Sequence, residues 1–373
     1  MKVIFFVLAG LYALVRAGLW VARRLTSNDS LRRRLTAREA SRAADEMADR
    51  YHQRFPDRAL AIGWLDGKDR RLIARGVDQE ARSVDGGTIF ELGSVTKTLT
   101  GLLLAKAVED GGIQLETSLE ELLPEVTLSD SARKITLQQL ATHTSGLPRL
   151  PPDLSTDQDK SNPYAHYTRE RLLASLANVT TKSSGSPEYS NYGVGLLGEI
   201  LALRAGLSFG EYIKAQLFEP IGLVSAYVRE KGALEEERLI AGFMSGKETP
   251  AWTMPGLAGA GGVRMNMDDL VMVLAFFLAP PDDWFAAREL AWAAQHRGEP
   301  ATVGLGWQIK GPPNDPIYWH NGSTYGASSF VAIRPGTGRA VAVIQNQSQL
   351  VGMLVGSEAA PEVIGWALIE SSE

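Results

Sequence analysis

The sequence predicts an α+β fold, in which an antiparallel sheet formed by both ends of the chain is flanked by helices and joined to a mostly helical lobe. Short apolar runs typical of strands occur near both ends, whereas the middle of the chain carries mostly helical patterns. The 373 residues suffice for a large core and two lobes. We therefore expect a membrane-targeting segment and linker over residues 1–38, and one folded domain over residues 39–373. Its sheet lobe is expected over about 39–90 and 265–373, and its helical lobe over about 91–264.

The N-terminal segment is apolar from Val3 to Ala22 apart from Arg16, and we expect it to target the chain to a membrane. Its length suffices for an uncleaved anchor, and no clear Ala-x-Ala cleavage site follows it. Arginines follow the segment, and by the positive-inside rule they oppose export of the rest of the chain. The orientation stays open, and an N-terminal helix lying on the membrane surface or on the protein is the alternative.

The first half of the domain is predicted to contain a surface helix, a β-hairpin, a long buried helix and a series of further helices. The long helix is expected to be buried because its residues are apolar almost all round. A capping box at Thr136 and Gln139 marks the start of a later helix. In chain order the elements are the helix 39–55, the strands Leu60–Leu65 and Arg71–Arg75, the buried helix Val95–Val108, the mostly helical region 118–205 and, within it, a polar loop over Pro151–Pro163.

The second half of the domain is predicted to return to strands after a glycine-rich segment. Gly256–Val263 is expected to be a flexible loop, and Asn266 and Asp269 mark the start of the helix that follows it. The later elements are the helix Trp284–His296, the strands Gly304–Ile309 and Ile317–His320, the hairpin strands Ser328–Ile333 and Arg339–Gln345, and the closing helix Pro361–Ile369.

The composition excludes several classes of function. A net charge of −5 gives no reason to expect a nucleic acid as partner. The chain contains no cysteine, which rules out disulfides, thiol nucleophiles and cysteine-bound metals. Its five histidines are scattered and form no His-Glu-x-x-His motif, so we expect neither a metal nor a cofactor.

The most informative short motif is Ser94-Val-Thr-Lys97, at the start of the predicted buried helix. Residues three apart on a helix share one face, so the hydroxyl and the amine are expected to be neighbours. Burial and the helix dipole both disfavour a charged lysine in the first turn, and a neutral amine can accept a proton from serine. The pattern thus indicates a nucleophile and base pair. The alternative is a serine N-cap followed by an exposed lysine.

A second serine motif is interpreted as structural. Gly206-Leu-Ser-Phe-Gly210 matches the G-x-S-x-G pattern of a nucleophile elbow, which needs a preceding strand. The residues before it are helical in pattern, so Gly206 is expected to end one helix and Ser208 to cap the next through a capping box with Glu211.

Two distant stretches add residues that suit the same chemistry. Tyr189-Ser-Asn191 lies on a predicted loop that enters a helix, and His320-Asn-Gly322 closes a strand and precedes Ser323. Taken singly, the tyrosine can be an aromatic plug at a helix entry, and the histidine can be hydrogen-bonded to the backbone. Their combination with Ser94 and Lys97 favours an active site.

The three motifs, in this order and approximate spacing, resemble the serine penicillin-recognising enzymes, above all class C β-lactamases and the related D-Ala-D-Ala carboxypeptidases and esterases. The resemblance covers nearly the whole chain after residue 55. It extends to Phe90–Thr98, Leu140–Pro148, Tyr189–Asn191 and Leu257–Gly262. It implies the β-lactamase/transpeptidase-like fold and a serine hydrolase that needs no cofactor.

The resemblance also implies a division of labour among the site residues. Ser94 would attack a carbonyl carbon and become acylated, and Lys97 and Tyr189 would share the base function, with the immediate base left open. Asn191 would hold Lys97 and a substrate amide. The N–H groups of Ser94 and Ser323 would form the oxyanion hole. His320, Asn321, Gly322 and Ser323 would complete the substrate-binding edge.

His320 departs from the pattern, because β-lactamases of this superfamily usually have lysine there. Histidine is mostly neutral at pH 7, so the site lacks the permanent charge that binds a substrate carboxylate. Histidine at this place is more similar to the related peptidases and esterases, and it argues against strong β-lactam hydrolysis. The resemblance implies D-Ala-D-Ala-type peptidoglycan peptides, β-lactams or both as substrates, cut by a carboxypeptidase, an endopeptidase or a weak β-lactamase, with short acyl esters as an alternative. A non-catalytic protein that binds the cell wall is the alternative of another class. The resemblance favours a periplasmic or cell-envelope location, anchored in the inner membrane by residues 3–22.

Overall fold

The structure is a computed structural model, and it describes residues 37–182, 185–229, 238–298, 301–348 and 361–370. The predicted membrane-targeting segment, residues 3–22, lies outside the described residues. Among the described helices, none is long and apolar enough to cross a bilayer by itself, although two sharply bent pairs of consecutive helices together meet the criteria of length and composition.

Twelve strands and thirteen α-helices are formed by the described residues. The strands are β1 (Leu60–Asp66), β2 (Asp69–Arg75), β3 (Ile89–Glu91), β4 (Tyr227–Val228), β5 (Gly242–Met244), β6 (Lys247–Thr249), β7 (Val263–Asn266), β8 (Thr302–Val303), β9 (Gln308–Lys310), β10 (Ile317–Ser323), β11 (Ser328–Arg334) and β12 (Arg339–Gln345). The helices are α1 (Ala37–Arg54), α2 (Thr96–Glu109), α3 (Leu119–Leu122), α4 (Asp130–Arg133), α5 (Leu137–Ala141), α6 (Arg169–Ser175), α7 (Asn191–Arg204), α8 (Phe209–Ile213), α9 (Glu219–Ile221), α10 (Ala258–Gly261), α11 (Met267–Leu278), α12 (Asp282–Trp292) and α13 (Pro361–Ile369).

Both ends of the chain meet in one seven-stranded antiparallel sheet, in the order β2-β1-β12-β11-β10-β9-β8. β1 pairs with β12 along its whole length, from Leu60 opposite Gln345 to Asp66 opposite Arg339. The two predicted hairpins, β1–β2 and β11–β12, are therefore neighbours in space. This arrangement confirms the predicted sheet built from the two ends of the chain.

Helices cover both faces of this sheet because its central strands are apolar on both faces. Side chains alternate between the faces along each strand. Leu60, Ile62 and Val343 belong to a cluster with α1 and α13, whereas Ala61 and Ile344 face the larger core on the other side. The larger core includes α2 and α7, so the start of α2 is held deep inside the molecule.

The glycine-rich segment Gly256–Val263 is not a flexible loop, and that prediction was wrong. Four of its residues form α10, which packs against α2 and α7. A Cβ atom on Gly198 of α7 would lie only 2.9 Å from the Cα atom of Gly259. The glycines therefore permit close packing of two helices, and they bring the backbone of α10 to the start of α2.

Three other elements also differ from the sequence prediction. Of the predicted strand Gly304–Ile309, only Gln308 and Ile309 are extended, as part of β9, because residues 304–307 turn between β8 and β9. At that turn, Gly306 has a φ of +72° and packs where a Cβ would lie 2.1 Å from the carbonyl oxygen of Lys97. The predicted helix Trp284–His296 ends at Trp292. In the first part of the region 118–205, the helices α3 to α6 have only four to seven residues and are joined by turns.

Candidate active site

Ser94 lies in a single 3₁₀ turn, Gly93–Val95, between β3 and α2. Gly93 has a φ of +53°, and a Cβ there would lie 2.8 Å from the backbone nitrogen of Ser323. A Cβ on Gly322 would likewise lie 3.0 Å from the backbone nitrogen of Ser94. Two glycines thus allow the turn and the end of β10 to touch. The backbone at Ser94 and at Ser323 is brought to the same place.

Lys97 is completely buried, with 0 % of its surface exposed, so the alternative of an exposed lysine behind a serine cap is wrong. The turn at Ser94 has no side-chain capping hydrogen bond either. Lys97 Nζ lies 3.0 Å from Ser94 Oγ, 2.8 Å from Asn191 Oδ1 and 2.5 Å from the carbonyl oxygen of Ala260. The amine is thus carried by α2, and α7 and α10 each supply one oxygen that contacts it.

The surroundings of Lys97 favour its neutral form. Burial lowers its pKa well below the ordinary value, and the positive charge of Arg149 lowers the pKa further. A neutral amine has two N–H groups and one lone pair. The N–H groups can satisfy Asn191 Oδ1 and the Ala260 carbonyl oxygen, which leaves the lone pair to accept a proton from Ser94 Oγ.

Tyr189 lies at the entry of α7, with its ring centroid 4.9 Å from Lys97 Nζ. Burial raises the pKa of Tyr189 to about 12, although a hydrogen bond with the Ser94 side chain and the charge of Arg149 act in the opposite direction. At neutral pH the phenol is therefore protonated, while burial favours the neutral form of the neighbouring amine. Tyr189 is arranged as a proton donor and Lys97 as a proton acceptor.

His143 is a member of this cluster that sequence reasoning did not single out. Its ring centroid lies 4.6 Å from that of Tyr189, and its Nδ1 accepts the Ser190 N–H at 3.2 Å. Its carbonyl oxygen accepts the Glu188 N–H at 2.8 Å, so both ends of the Tyr189 segment are tied to it. Burial lowers the pKa of His143 well below the ordinary value, helped by nearby Lys97. The sequence signal that could have identified His143 is its position within Leu140–Pro148, one of the stretches that carry the family resemblance.

His320 is buried and neutral at the edge of the cluster. Burial, followed by the charge of Lys97, lowers the pKa of His320 to about 3. Its Nδ1 lies 2.6 Å from the carbonyl oxygen of Asn321. Because a carbonyl oxygen can only accept, Nδ1 carries the proton and donates it in this bond. His320 therefore supplies no positive charge at neutral pH.

The side chain of Asn321 lies on the face of the sheet opposite to that of His320. Its side-chain amide donates to Glu362 Oε1 at 2.6 Å, on α13. Neighbouring residues of a strand point to opposite faces, so when His320 faces Tyr189 the next side chain faces α13. Among the four predicted residues of this edge, Gly322 and Ser323 contact the Ser94 turn through their backbone.

A buried carboxylate, Glu91, connects three segments beneath the site. It accepts the Trp252 N–H at 2.7 Å and the Thr324 hydroxyl at 2.8 Å, and Arg264 Nη2 lies 3.5 Å away. Burial raises the pKa of Glu91, and the charge of Arg264 counteracts that rise. Glu91 precedes the Ser94 turn and Thr324 follows Ser323, so this network holds both segments together. The sequence offered no signal for the ion pair, since its partners are 173 residues apart.

The mouth of the site is lined by aromatic rings and one arginine. Trp252 stacks edge-on with Tyr164 and Tyr325, with ring centroids 4.9 Å apart in both pairs. Arg149 is exposed, and its Cζ lies 4.9 Å from the centroid of the Tyr189 ring. Over the described part of the chain, no three His, Asp or Glu side chains are grouped so that they could hold a metal ion.

Residues 48–358 match the model of the family described as "Beta-lactamase". The chain belongs to the beta-lactamase family. It is a serine hydrolase of this family, and the motifs at Ser94, Tyr189 and His320 all lie within the matched residues.

Curated relatives of the beta-lactamase family align with most of this chain. A protein named "Beta-lactamase" from Yersinia enterocolitica is 28% identical over 76% of this chain and 71% of its own length. "Penicillin-binding protein 4" from Amycolatopsis lactamdurans is 26% identical over 81% of this chain and 83% of its own. A "Beta-lactamase" from Escherichia coli is 30% identical over 73% and 70%.

Solved structures show the same fold. The "Beta-Lactamase/D-Alanine Carboxypeptidase from Pseudomonas syringae" superposes with a TM-score of 0.76 at 20% identity, over 90% of this chain and 99% of that one. A class C beta lactamase from Rhodobacter sphaeroides gives a TM-score of 0.74 at 22% identity, over 88% and 98%. These likenesses confirm the predicted β-lactamase/transpeptidase-like fold.

The second serine motif has the structural role that the sequence predicts. Ser208 is the N-cap of α8, where it forms a capping box with Glu211, and Gly206 ends the preceding stretch with a φ of +70°. No strand precedes it, since α7 runs to Arg204. In this member of the beta-lactamase family, the G-x-S-x-G pattern is therefore not a nucleophile elbow.

Proposed function

We propose that this protein hydrolyses acyl donors through a covalent acyl-enzyme formed on Ser94. The observation that carries the proposal is the buried amine of Lys97, 3.0 Å from Ser94 Oγ. Its lowered pKa favours the neutral amine, and a neutral amine can accept the proton that the Ser94 hydroxyl must lose to become a nucleophile.

The proposed reaction begins when Lys97 accepts the Ser94 proton and Ser94 Oγ attacks the carbonyl carbon. The oxygen of the tetrahedral intermediate then faces the N–H groups of Ser94 and Ser323, and each such donor is typically worth about 3 kcal/mol. Tyr189, which is protonated because its pKa is raised to about 12, gives its proton to the leaving group and recovers one from Lys97. A water molecule attacks the acyl-enzyme by the same proton route in reverse.

We propose D-Ala-D-Ala-type peptidoglycan peptides, β-lactams or both as the acyl donors. The names of relatives, a beta-lactamase and a penicillin-binding protein, support this substrate class. Peptidoglycan is assembled outside the inner membrane, so we also propose a periplasmic or cell-envelope location with residues 3–22 as the anchor. Protease added to intact spheroplasts should then digest the domain, and full protection would place it in the cytoplasm instead.

Short acyl esters are a second candidate class. The neutral His320, with a pKa lowered to about 3, favours them because it offers no charge to a substrate carboxylate. Comparing nitrophenyl esters with a D-Ala-D-Ala peptide separates the two. An enzyme that turns over only the esters and never reacts with penicillin belongs to the second class.

The test is the intact mass of the protein after addition of benzylpenicillin, followed over time. We expect a mass increase of one penicillin that is absent in Ser94→Ala. An adduct that persists indicates a peptidase-like enzyme, and one that disappears with release of penicilloate indicates a β-lactamase. Ser208→Ala is the matched control, since it removes a serine that only caps α8 and should leave the adduct intact. If neither penicillin, nor ester, nor peptide reacts in a Ser94-dependent way, the proposed function is wrong.

A further inference from the structure

The polar side chains between His320 and Thr324, on β10 and directly after it, already have partners inside the protein. These side chains are the ones expected to donate hydrogen bonds to a substrate carboxylate, so their internal partners compete with the substrate. Their partners are the Asn321 carbonyl oxygen for His320 Nδ1, Glu362 for the Asn321 amide, the Thr324 and Ala327 carbonyl oxygens for the Ser323 hydroxyl, and Glu91 for the Thr324 hydroxyl. This edge therefore presents backbone groups but no free cation.

Arg149 places a permanent positive charge at the mouth of the same site. Its residue is exposed, and its guanidinium carbon lies 4.9 Å from the centroid of the Tyr189 ring. Within the described part of the chain, the guanidinium has neither an ion pair nor a hydrogen bond. Its charge lowers the pKa of Tyr189, Lys97 and His143, which shows that its field reaches the reacting groups.

The position of Arg149 is set by the backbone that carries Tyr189. Its carbonyl oxygen accepts the N–H of Asn191 at 2.9 Å and the N–H of Tyr192 at 3.3 Å, both at the start of α7. Pro148 and Pro151 flank the short segment and restrict its backbone. The backbone of Arg149 is therefore fixed beside the start of α7, and from there its guanidinium lies against the ring of Tyr189. That ring marks the leaving-group side, because Tyr189 protonates the leaving group in the proposed reaction.

We propose that Arg149 binds a carboxylate on the leaving group of the acyl donor, at the place in the reaction where other family members use a lysine on the β10 edge. This inference rests on the proposed function at Ser94. A guanidinium binds a carboxylate through two parallel hydrogen bonds, and it stays charged at every physiological pH. The favoured substrates are acyl donors with an anionic leaving group, such as peptides with a free C-terminal carboxylate or β-lactams with an acidic second ring.

The test uses two esters that differ only in one charge, 3-carboxyphenyl acetate and 3-carbamoylphenyl acetate. We expect Arg149→Gln to lower kcat/KM for the carboxylate ester by about 10- to 100-fold, the usual size of a charge-assisted hydrogen bond. The neutral ester reports any change in the pKa of Lys97 or Tyr189, and it should fall by less than about 3-fold. Arg149→Lys should restore part of the difference, and Arg133→Gln, which removes an exposed guanidinium paired with Glu120, should change neither ester.

Equal losses for both esters in Arg149→Gln would overturn the proposal, since a general structural effect would not discriminate by charge. Parallel acylation measurements separate the two natural sources of the carboxylate. They compare benzylpenicillin with its methyl ester, and a D-Ala-D-Ala peptide with its C-terminal amide. The source whose preference for the acid disappears in Arg149→Gln is the one that Arg149 recognises.

A binding measurement separates failure of this inference from failure of the proposed function. Titration of Ser94→Ala with benzylpenicillin by NMR needs no catalysis, and the dissociation constant should rise about 10-fold or more when Arg149→Gln is added. An unchanged dissociation constant would overturn the assignment of Arg149. Turnover of both esters by Ser94→Ala would instead refute the proposed function.

Discussion

Lys97→Met tests whether the buried amine is neutral in the folded protein. Methionine has nearly the same length and no charge, so it preserves packing while removing the base. Two acceptors, Asn191 Oδ1 and the Ala260 carbonyl oxygen, lose their donor. Each buried acceptor left without a donor costs about 1–3 kcal/mol, a loss that does not depend on pH.

The pH dependence of the free energy of unfolding shows whether the amine of Lys97 is neutral in the folded protein. Burial and Arg149 lower the pKa of folded Lys97, so the unfolded chain holds one more proton than the folded one between that lowered pKa and the ordinary lysine pKa. The free energy of unfolding attributable to Lys97 must then rise with pH in this window, by at most about 1.4 kcal/mol per pH unit. Below the lowered pKa the slope disappears, because both states are protonated.

The assay is urea denaturation of the wild type and Lys97→Met at several pH values from 7 to 9.5. The wild type should gain stability relative to Lys97→Met by about 1–1.4 kcal/mol for each pH unit. Turnover of 3-carbamoylphenyl acetate should fall by about 100-fold or more, the usual contribution of a general base. Lys106→Met, at the other end of α2, controls for loss of a lysine and should keep turnover. Parallel stability curves for the wild type and Lys97→Met would refute the neutral amine.

Two further predictions concern the network beneath Ser94 and the proton donor. Glu91→Gln removes the charge that faces Arg264, and we expect a loss of about 3–5 kcal/mol in the free energy of unfolding by urea titration; a loss below 1 kcal/mol would contradict the ion pair. Because the pKa of Tyr189 is raised to about 12 and that of His320 is lowered to about 3, neither group should produce a limb in kcat/KM between pH 5 and 10. The check is the pH profile of the neutral ester, and a limb near pH 10 that disappears in Tyr189→Phe would contradict it.

The strands and long helices were predictable because their patterns are local. β1 and β2 are joined by a short turn, and the apolar sequence of α2 already indicates burial. The capping boxes at Thr136 and Ser208 lie where the sequence predicts them, since four residues contain the whole interaction. Gly256–Val263 shows the limit of this approach. Glycine occurs both in flexible loops and at close helix contacts, and only the neighbouring helix, α7, distinguishes the two cases here.

The residues of the candidate site could be selected from the sequence, but their ionisation could not. Ser94, Lys97, Tyr189 and His320 carry chemistry that is visible in their side chains and spacing. Whether Lys97 is neutral depends on burial and on charges from distant segments, and those depend on the fold. Arg149 and Glu91 were not singled out from the sequence, because their roles depend on partners that lie far away in the chain.

By itself, the sequence predicted an α+β fold, because hydrophobic periodicity is a property of neighbouring residues, and the resemblance of its motifs to a known family predicted a serine hydrolase with Ser94 as the nucleophile. Only the tertiary structure decided that the Lys97 amine is buried among three oxygens. It also decided that the side chains of the β10 edge have internal partners, and that the exposed cation beside Tyr189 is Arg149. These properties arise from contacts between residues far apart in the chain, where burial and charge set each pKa.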